Sequence, residues 1–243
     1  MEPKIKIYKS PLEVAEKLSS ELKQISDINS AKNKFTNIAL PGGSTPKILF
    51  NVLSEGYGEK INWQKINLFW VDERCVPANY EDSNYGMTKK YLLDNIEIPK
   101  ENIHRIVGEN QPEKEVNRYA SVIDNNILTS ENGFPEFDVI LLGMGTDGHT
   151  ASIFPDKIEL FNSEKLCAVT EHPETGQKRI TVTGKVINNA KRVIFFVTGE
   201  EKAEVVKNII EKKNGYEEYP STHVDPVNGS YEWYMDEKAA KLL

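Results

Sequence analysis

The chain has 243 residues and a net charge of −7, with 39% hydrophobic and 28% charged residues. That length supports a sizeable core, and the acidic balance argues against nonspecific nucleic-acid binding, which needs a basic surface to neutralise phosphates. The N-terminus has no apolar signal core and no run reaches the ~18 apolar residues of a membrane span, so no membrane partner and a cytoplasmic location are expected.

Ile5 to Tyr8 reads as a short strand. Ser10-Pro11-Leu12-Glu13 follows as a capping box with proline at the first helical position, and Leu18, Leu22 and Ile25 then recur at helical spacing. Phe35 to Leu40 is a strand, Pro41-Gly42-Gly43-Ser44-Thr45 a loop, and Pro46 opens a helix to about Leu53. Ile66 to Val71 is a near-continuous apolar strand that ends in Asp72-Glu73-Arg74. A polar loop over Tyr80 to Asn84 leads into a helix to about Leu93, and a helix from about Glu113 to Leu128 precedes the strand that starts at Phe137.

Beyond Pro155 the pattern predicts strands over Leu166 to Thr170 and Arg179 to Thr183, and a short helix over Lys185 to Ala190. The strand Lys191 to Thr198 passes through Gly199 into a helix over Glu200 to Lys213, and Asn228-Gly229 predicts a tight turn before Tyr231 to Met235. Apolar strands alternating with helices define an α/β chain whose mostly parallel sheet is covered on both faces. No internal repeat, low-complexity linker or composition break divides it, so one domain over residues 1–243 is expected.

Four loops carry candidate chemistry. Gly42 and Gly43 let backbone approach a ligand, and Ser44 or Thr45 is placed to cap the following helix, whose free amides suit an anion. Asp72 and Arg74 follow a buried strand, where ligands of open parallel sheets bind, and arginine's planar fork matches carboxylate or phosphate. In Gly143-Met144-Gly145-Thr146-Asp147-Gly148-His149, a histidine one residue removed from a carboxylate is a candidate proton-transfer group, with Asp147 a candidate to orient it. Arg179 opens a strand, and Lys202 sits in a helix's first turn, where it opposes the macrodipole and favours an anionic partner. A bland alternative stands beside each loop: a capped turn, a surface ion pair, a backbone-bonded histidine, an exposed lysine. His104, His172 and His223 read as ordinary surface residues, and Cys75 and Cys167, far apart and in no CxxC spacing, as reduced structural thiols with no metal site.

Leu40 to Pro46, Val71 to Pro77 with Ser83-Asn84, Gly143 to Pro155, Arg179 to Thr183 and Gly199 to Ala203, in that order, resemble the 6-phosphogluconolactonase family. The resemblance continues through Pro226 to Gly229 and Trp233 to Asp236 and so covers essentially the whole chain. It implies a Rossmann-like sheet shared with glucosamine-6-phosphate deaminases, and hydrolysis of 6-phospho-D-glucono-1,5-lactone without a cofactor. It also implies His149 as general base, Gly42, Gly43, Ser44, Arg179 and Lys202 on the phosphate side, and Asp72 and Arg74 lining the site. The expected partner is a small phosphorylated sugar lactone, and the expected assembly a monomer or small homo-oligomer.

The deaminase branch shares the histidine motif and a Gly-Gly loop but carries a glutamate before the closing proline, where this chain has Phe154. It also has an aromatic residue after the Asp-Glu pair, where this chain has Arg74. Both departures favour the lactonase. A non-catalytic sugar-phosphate sensor is the alternative from another class; such domains follow a DNA-binding helix-turn-helix, whereas this sequence opens on its first strand.

Overall fold

The apolar runs read from the sequence become the interior strands of one sheet. The computed structural model describes residues 2–243. Its strands are β1 (Lys4–Tyr8), β2 (Thr36–Leu40), β3 (Ile66–Trp70), β4 (Asp72–Arg74), β5 (Ile103–His104), β6 (Val139–Leu142), β7 (Cys167–Glu171), β8 (Lys178–Val182), β9 (Arg192–Val197) and β10 (Ser230–Asp236). The α-helices are α1 (Pro11–Ala31), α2 (Thr45–Tyr57), α3 (Asn84–Tyr91), α4 (Pro112–Asn126), α5 (Gly184–Ile187) and α6 (Ala203–Ile210), joined in places by short 3-10 turns.

Seven strands form a sheet in the order β1-β10-β9-β6-β2-β3-β5, and every pairing in it is parallel. β3 and β6 are buried along their whole length, which is why they lack polar alternation. The sheet edge at β1 is tied down by charge. Lys6 and Arg192 both reach Glu21 of α1 and Glu232 of β10, at 2.5–3.0 Å. Burial acts to raise the Glu21 carboxyl, but bonds from Tyr234, Arg192 and Lys6 outweigh it and hold the group down to about 2. Among the described residues no helix is long and apolar enough to cross a membrane.

Three expectations from sequence change. The strands read at Leu166 to Thr170 and Arg179 to Thr183 leave the parallel sheet and, with β4, form a separate antiparallel sheet in the order β4-β8-β7. The link from β7 to β8 is closed by His172 N–H on Gln177 O at 3.0 Å and is too short for the crossover a parallel pair requires. Asn228-Gly229 makes no tight hairpin turn, because β10 runs parallel to β9 and these residues only lead the chain back to the start of β9. His104 is half-buried rather than a surface residue: its ring stacks on Phe69 at 4.5 Å, and burial lowers its pKa. In the first capping box Ser10 Oγ accepts from Glu13 N–H at 3.2 Å, while the Glu13 carboxylate reaches back to Lys9 N–H at 2.9 Å.

β3 delivers the chain to the site, and its last residue is held by a side chain. β5 covers only Leu68 and Phe69 of its open edge. Beyond them the fully buried Tyr119 hydroxyl donates to Trp70 O at 2.7 Å and accepts from Trp70 N–H at 2.9 Å, replacing a strand. Tyr119→Phe leaves both backbone groups buried and unpaired, so it should destabilise the fold by about 2–6 kcal/mol in urea unfolding, two groups at the usual cost of an unmade buried bond.

Candidate active site

The strand order reverses at β2. From β2 the chain proceeds to β3 and β5 on one flank, then returns as β6 on the other. The loops leaving β2 and β6 therefore diverge, and a crevice opens at the carboxyl ends of the strands, where α/β sheets bind ligands. A cleft of about 240 Å³ lies there. Gly42, Gly43, Ser44, Asp72, Arg74, His149, Arg179 and Lys202 all line it. Asp147 stands behind His149 rather than in the lining.

The histidine loop folds on itself. Gly145 N–H donates to His149 O at 2.9 Å, and Thr150 Oγ1 donates to Gly143 O at 2.9 Å. Asp147 Oδ1 lies 2.6 Å from His149 Nδ1 and also accepts His149 N–H at 3.2 Å. A carboxylate on Nδ1 selects the tautomer that carries its proton there and leaves the Nε2 lone pair free. Burial acts to raise the Asp147 carboxyl, but its hydrogen bond to His149 and the imidazole's charge prevail and hold it below its usual range. Phe154, fully buried, backs the imidazole with ring centroids 4.9 Å apart.

The cations converge by a route that the sequence does not reveal. Arg74 and Arg179 stand opposite each other across the antiparallel β4–β8 pair, though 105 positions apart in the chain. Among the described residues neither forms a salt bridge; Arg74 donates to Asp82 O at 2.6 Å, and Arg179 lies 5.6 Å from the centre of the Phe154 ring. Burial, and then the charge of Arg74, lower the Arg179 pKa. Lys202 also lines the cleft without an ion pair among the described residues, and burial lowers its pKa. Desolvated cations with no carboxylate partner are costly unless a ligand supplies the anion.

Ser44 and Thr45 do not cap α2, contrary to expectation. Ser44 has helical backbone and no capping bond, and Thr45 Oγ1 lies 3.2 Å from Thr198 Oγ1. The first amides of α2 are thus unclaimed by a side-chain cap at the cleft, an arrangement that favours an anion. Gly42 is required by packing, since a Cβ there would fall 1.9 Å from Asn84 Oδ1.

Asn84 lines the cleft but was given no role from sequence. Its Nδ2 donates to Asp72 O at 3.0 Å and Asp72 Oδ1 at 3.3 Å, while Asp72 Oδ2 accepts from Ser152 Oγ at 2.6 Å. Asp72 therefore ties α3 to the end of the histidine loop as well as lining the cleft. The advance signals were that Ser83-Asn84 begins a helix after a polar loop and belongs to the stretches that carry the resemblance. Among the described residues no three His, Cys, Asp or Glu side chains cluster to hold a metal ion; Cys75 and Cys167 are both free thiols.

The chain matches the family model described as glucosamine-6-phosphate isomerases/6-phosphogluconolactonase over residues 9–233, and it belongs to that family. It is 45% identical over 221 residues to the 6-phosphogluconolactonase of Haemophilus influenzae, covering 89% of this chain and 91% of that one. The structure of a protein described as devB superposes with a TM-score of 0.92 at 39% identity, covering 98% of both chains. The 6-phosphogluconolactonase of Trypanosoma brucei superposes with a TM-score of 0.87 at 27% identity, covering 100% of this chain and 99% of that one.

Behind the cleft, Glu73 fixes the start of α3. Its buried carboxylate accepts from Arg74 N–H, Asn84 N–H and Tyr85 N–H at 2.7–2.8 Å and from Ser83 Oγ at 3.0 Å. Burial dominates and pushes the group up to about 7, although these four bonds favour its charged form. The folded pKa lies above the unfolded one, so the native state holds the extra proton. The group's contribution to stability is full below about pH 4, falls as pH rises towards about 7, and is flat beyond, a change of about 3 kcal/mol. Glu73→Gln should remove this slope from urea unfolding measured between pH 5 and pH 8.

Proposed function

We propose that this chain hydrolyses 6-phospho-D-glucono-1,5-lactone to 6-phospho-D-gluconate, the lactone-opening step of the oxidative pentose phosphate pathway, with His149 as general base. The observation that carries this reading is the Asp147–His149 pair, at 2.6 Å, beside a cleft whose cations Arg74, Arg179 and Lys202 form no salt bridge among the described residues. The reading treats residues 1–243 as one domain, acting in the cytoplasm without a cofactor as a monomer or small homo-oligomer.

In this mechanism Nε2 of His149 takes a proton from water as the water oxygen bonds to the lactone carbonyl carbon. Asp147 steadies the imidazolium that forms, as a carboxylate on Nδ1 does in hydrolytic triads. The carbonyl oxygen carries the developing negative charge, and preorganised donors in a partly desolvated cleft stabilise it. Collapse of the tetrahedral intermediate breaks the bond to the ring oxygen, which receives the proton from Nε2. The phosphate, held at the uncapped start of α2 with Ser44, Arg179 and Lys202, supplies remote binding energy that places the carbonyl.

The deaminase alternative is disfavoured by Phe154. Where that branch has a glutamate, this chain has a fully buried ring packed against His149 and Arg179, so that position offers no carboxylate.

Turnover of freshly generated lactone, corrected for spontaneous hydrolysis, tests the reading. His149→Ala should lose about 10²–10⁴-fold in rate, the usual worth of a positioned base. A wild-type rate no greater than the spontaneous one, with ammonia released from glucosamine 6-phosphate instead, would replace the lactonase by the deaminase. Arg179→Ala should raise KM several-fold or more, and an unchanged KM would remove Arg179 from the phosphate side.

A further inference from the structure

His149 follows a residue that is gripped from outside its own loop. The carbonyl of Gly148 accepts two hydrogen bonds from Ser221, from its N–H at 3.0 Å and its Oγ at 2.7 Å. Ser221 is fully buried. Gly148 has a φ of +75°, and a Cβ there would fall 2.5 Å from Cδ1 of Tyr219, so the Tyr219 ring occupies the space above the glycine. The peptide unit leading into His149 is therefore fixed through its carbonyl and through its Cα.

The segment that makes this grip is itself anchored at both ends. Tyr219 OH accepts from Asn208 Nδ2 at 3.3 Å, on α6, the helix that begins directly after Lys202. On the other side Asn188, just past α5, donates through Nδ2 to His223 O at 3.0 Å and accepts Asp225 N–H at 2.9 Å. The segment carries no group into the cleft. Its contacts join α6 and the residue after α5 to Gly148, and the His223 ring packs on Phe161 with centroids 5.4 Å apart.

We propose that Tyr219 and Ser221 are positioning residues for the reaction: they lock the Gly148–His149 peptide so that Nε2 faces the lactone carbonyl. The inference rests on His149 being the base. The Asp147 bond fixes the ring's tautomer and rotation but not the backbone that carries both residues, because Asp147 lies on the same loop. Phe154 backs the ring and Ser152 ties the end of the loop to Asp72, while Ser221 and Tyr219 hold the peptide that leads directly into His149. A displacement of a base by about 1 Å can cost up to about 10²-fold in rate.

The test is a cycle of Ser221→Ala in the wild-type and His149→Ala backgrounds, with kcat and KM measured on the lactone. Ser221→Ala should lower kcat by about 10-fold or more with KM within about twofold, and should change the His149→Ala rate by less than about twofold, since a residue that acts through His149 has nothing left to position. Equal losses in both backgrounds, a loss shared by kcat and KM, or an unchanged kcat would each overturn the proposal. A His149→Ala enzyme that keeps its full rate would instead remove the base assignment, and the clamp with it. Should Ser221→Ala fail to fold, Tyr219 supplies a second cycle: Tyr219→Phe, which keeps the ring over Gly148, should stay near wild type, and Tyr219→Ala should lose kcat. Equal rates for the two would overturn the proposal.

Discussion

In a parallel sheet every strand delivers its carboxyl end to the same edge, and this chain reverses direction once along that edge, at β2. Because β3 continues the sheet on one side and β6 on the other, the connections cannot pack together above the gap between β2 and β6. Backbone hydrogen-bonding thus creates a crevice before any functional side chain is placed. The glycine loop and the start of α2 enter from β2, the histidine loop from β6, and Lys202 from the end of β9 beside it. Each element of the site is where it is because its strand ends there.

The small antiparallel sheet adds what the parallel sheet cannot. Immediately after β3 the chain leaves the main sheet, and β4 pairs with β8, setting Arg74 against Arg179. Two guanidiniums on directly opposed positions repel each other, a cost tolerated at sites that take anions. The same short strand supplies Asp72 and Glu73, which face the interior and collect hydrogen bonds from α3 and from Ser152. One tripeptide therefore holds the cation, the tie to the histidine loop and the anchor of the helix that carries Asn84. Substitutions at Asp72 would disturb several of these roles at once, so their kinetic effects cannot be assigned to ligand contact alone.

Electrostatics divides the charged residues into two populations. At the β1 edge, Lys6 and Arg192 share Glu21 and Glu232 in a closed network that holds an outer strand in place. At the cleft, Arg74, Arg179 and Lys202 have no such carboxylates among the described residues. The chain has acidic residues in excess, so this lack of partners at the cleft is local and sets the site apart from the surface.

The sequence by itself determined the run of strands and helices, the parallel character of the main sheet, the Asp147–His149 pairing and the family. These follow from short-range patterns: apolar runs, glycine-rich turns, and a carboxylate two positions from a histidine. The separate antiparallel sheet was hidden, since β4 is three residues long and its partner lies more than a hundred positions away. Ser44 looked like a helix cap by residue type, yet whether a hydroxyl caps depends on backbone angles that the neighbouring loops impose. Asn84 and Ser152 lie inside motifs but their roles did not show there, and Tyr219 and Ser221 carried no local signal, because each acts through contacts distant in sequence. Only the tertiary structure decided that the separate cations share one cleft and that the base is braced from outside its loop, since convergence is a property of sheet order and packing rather than of spacing along the chain.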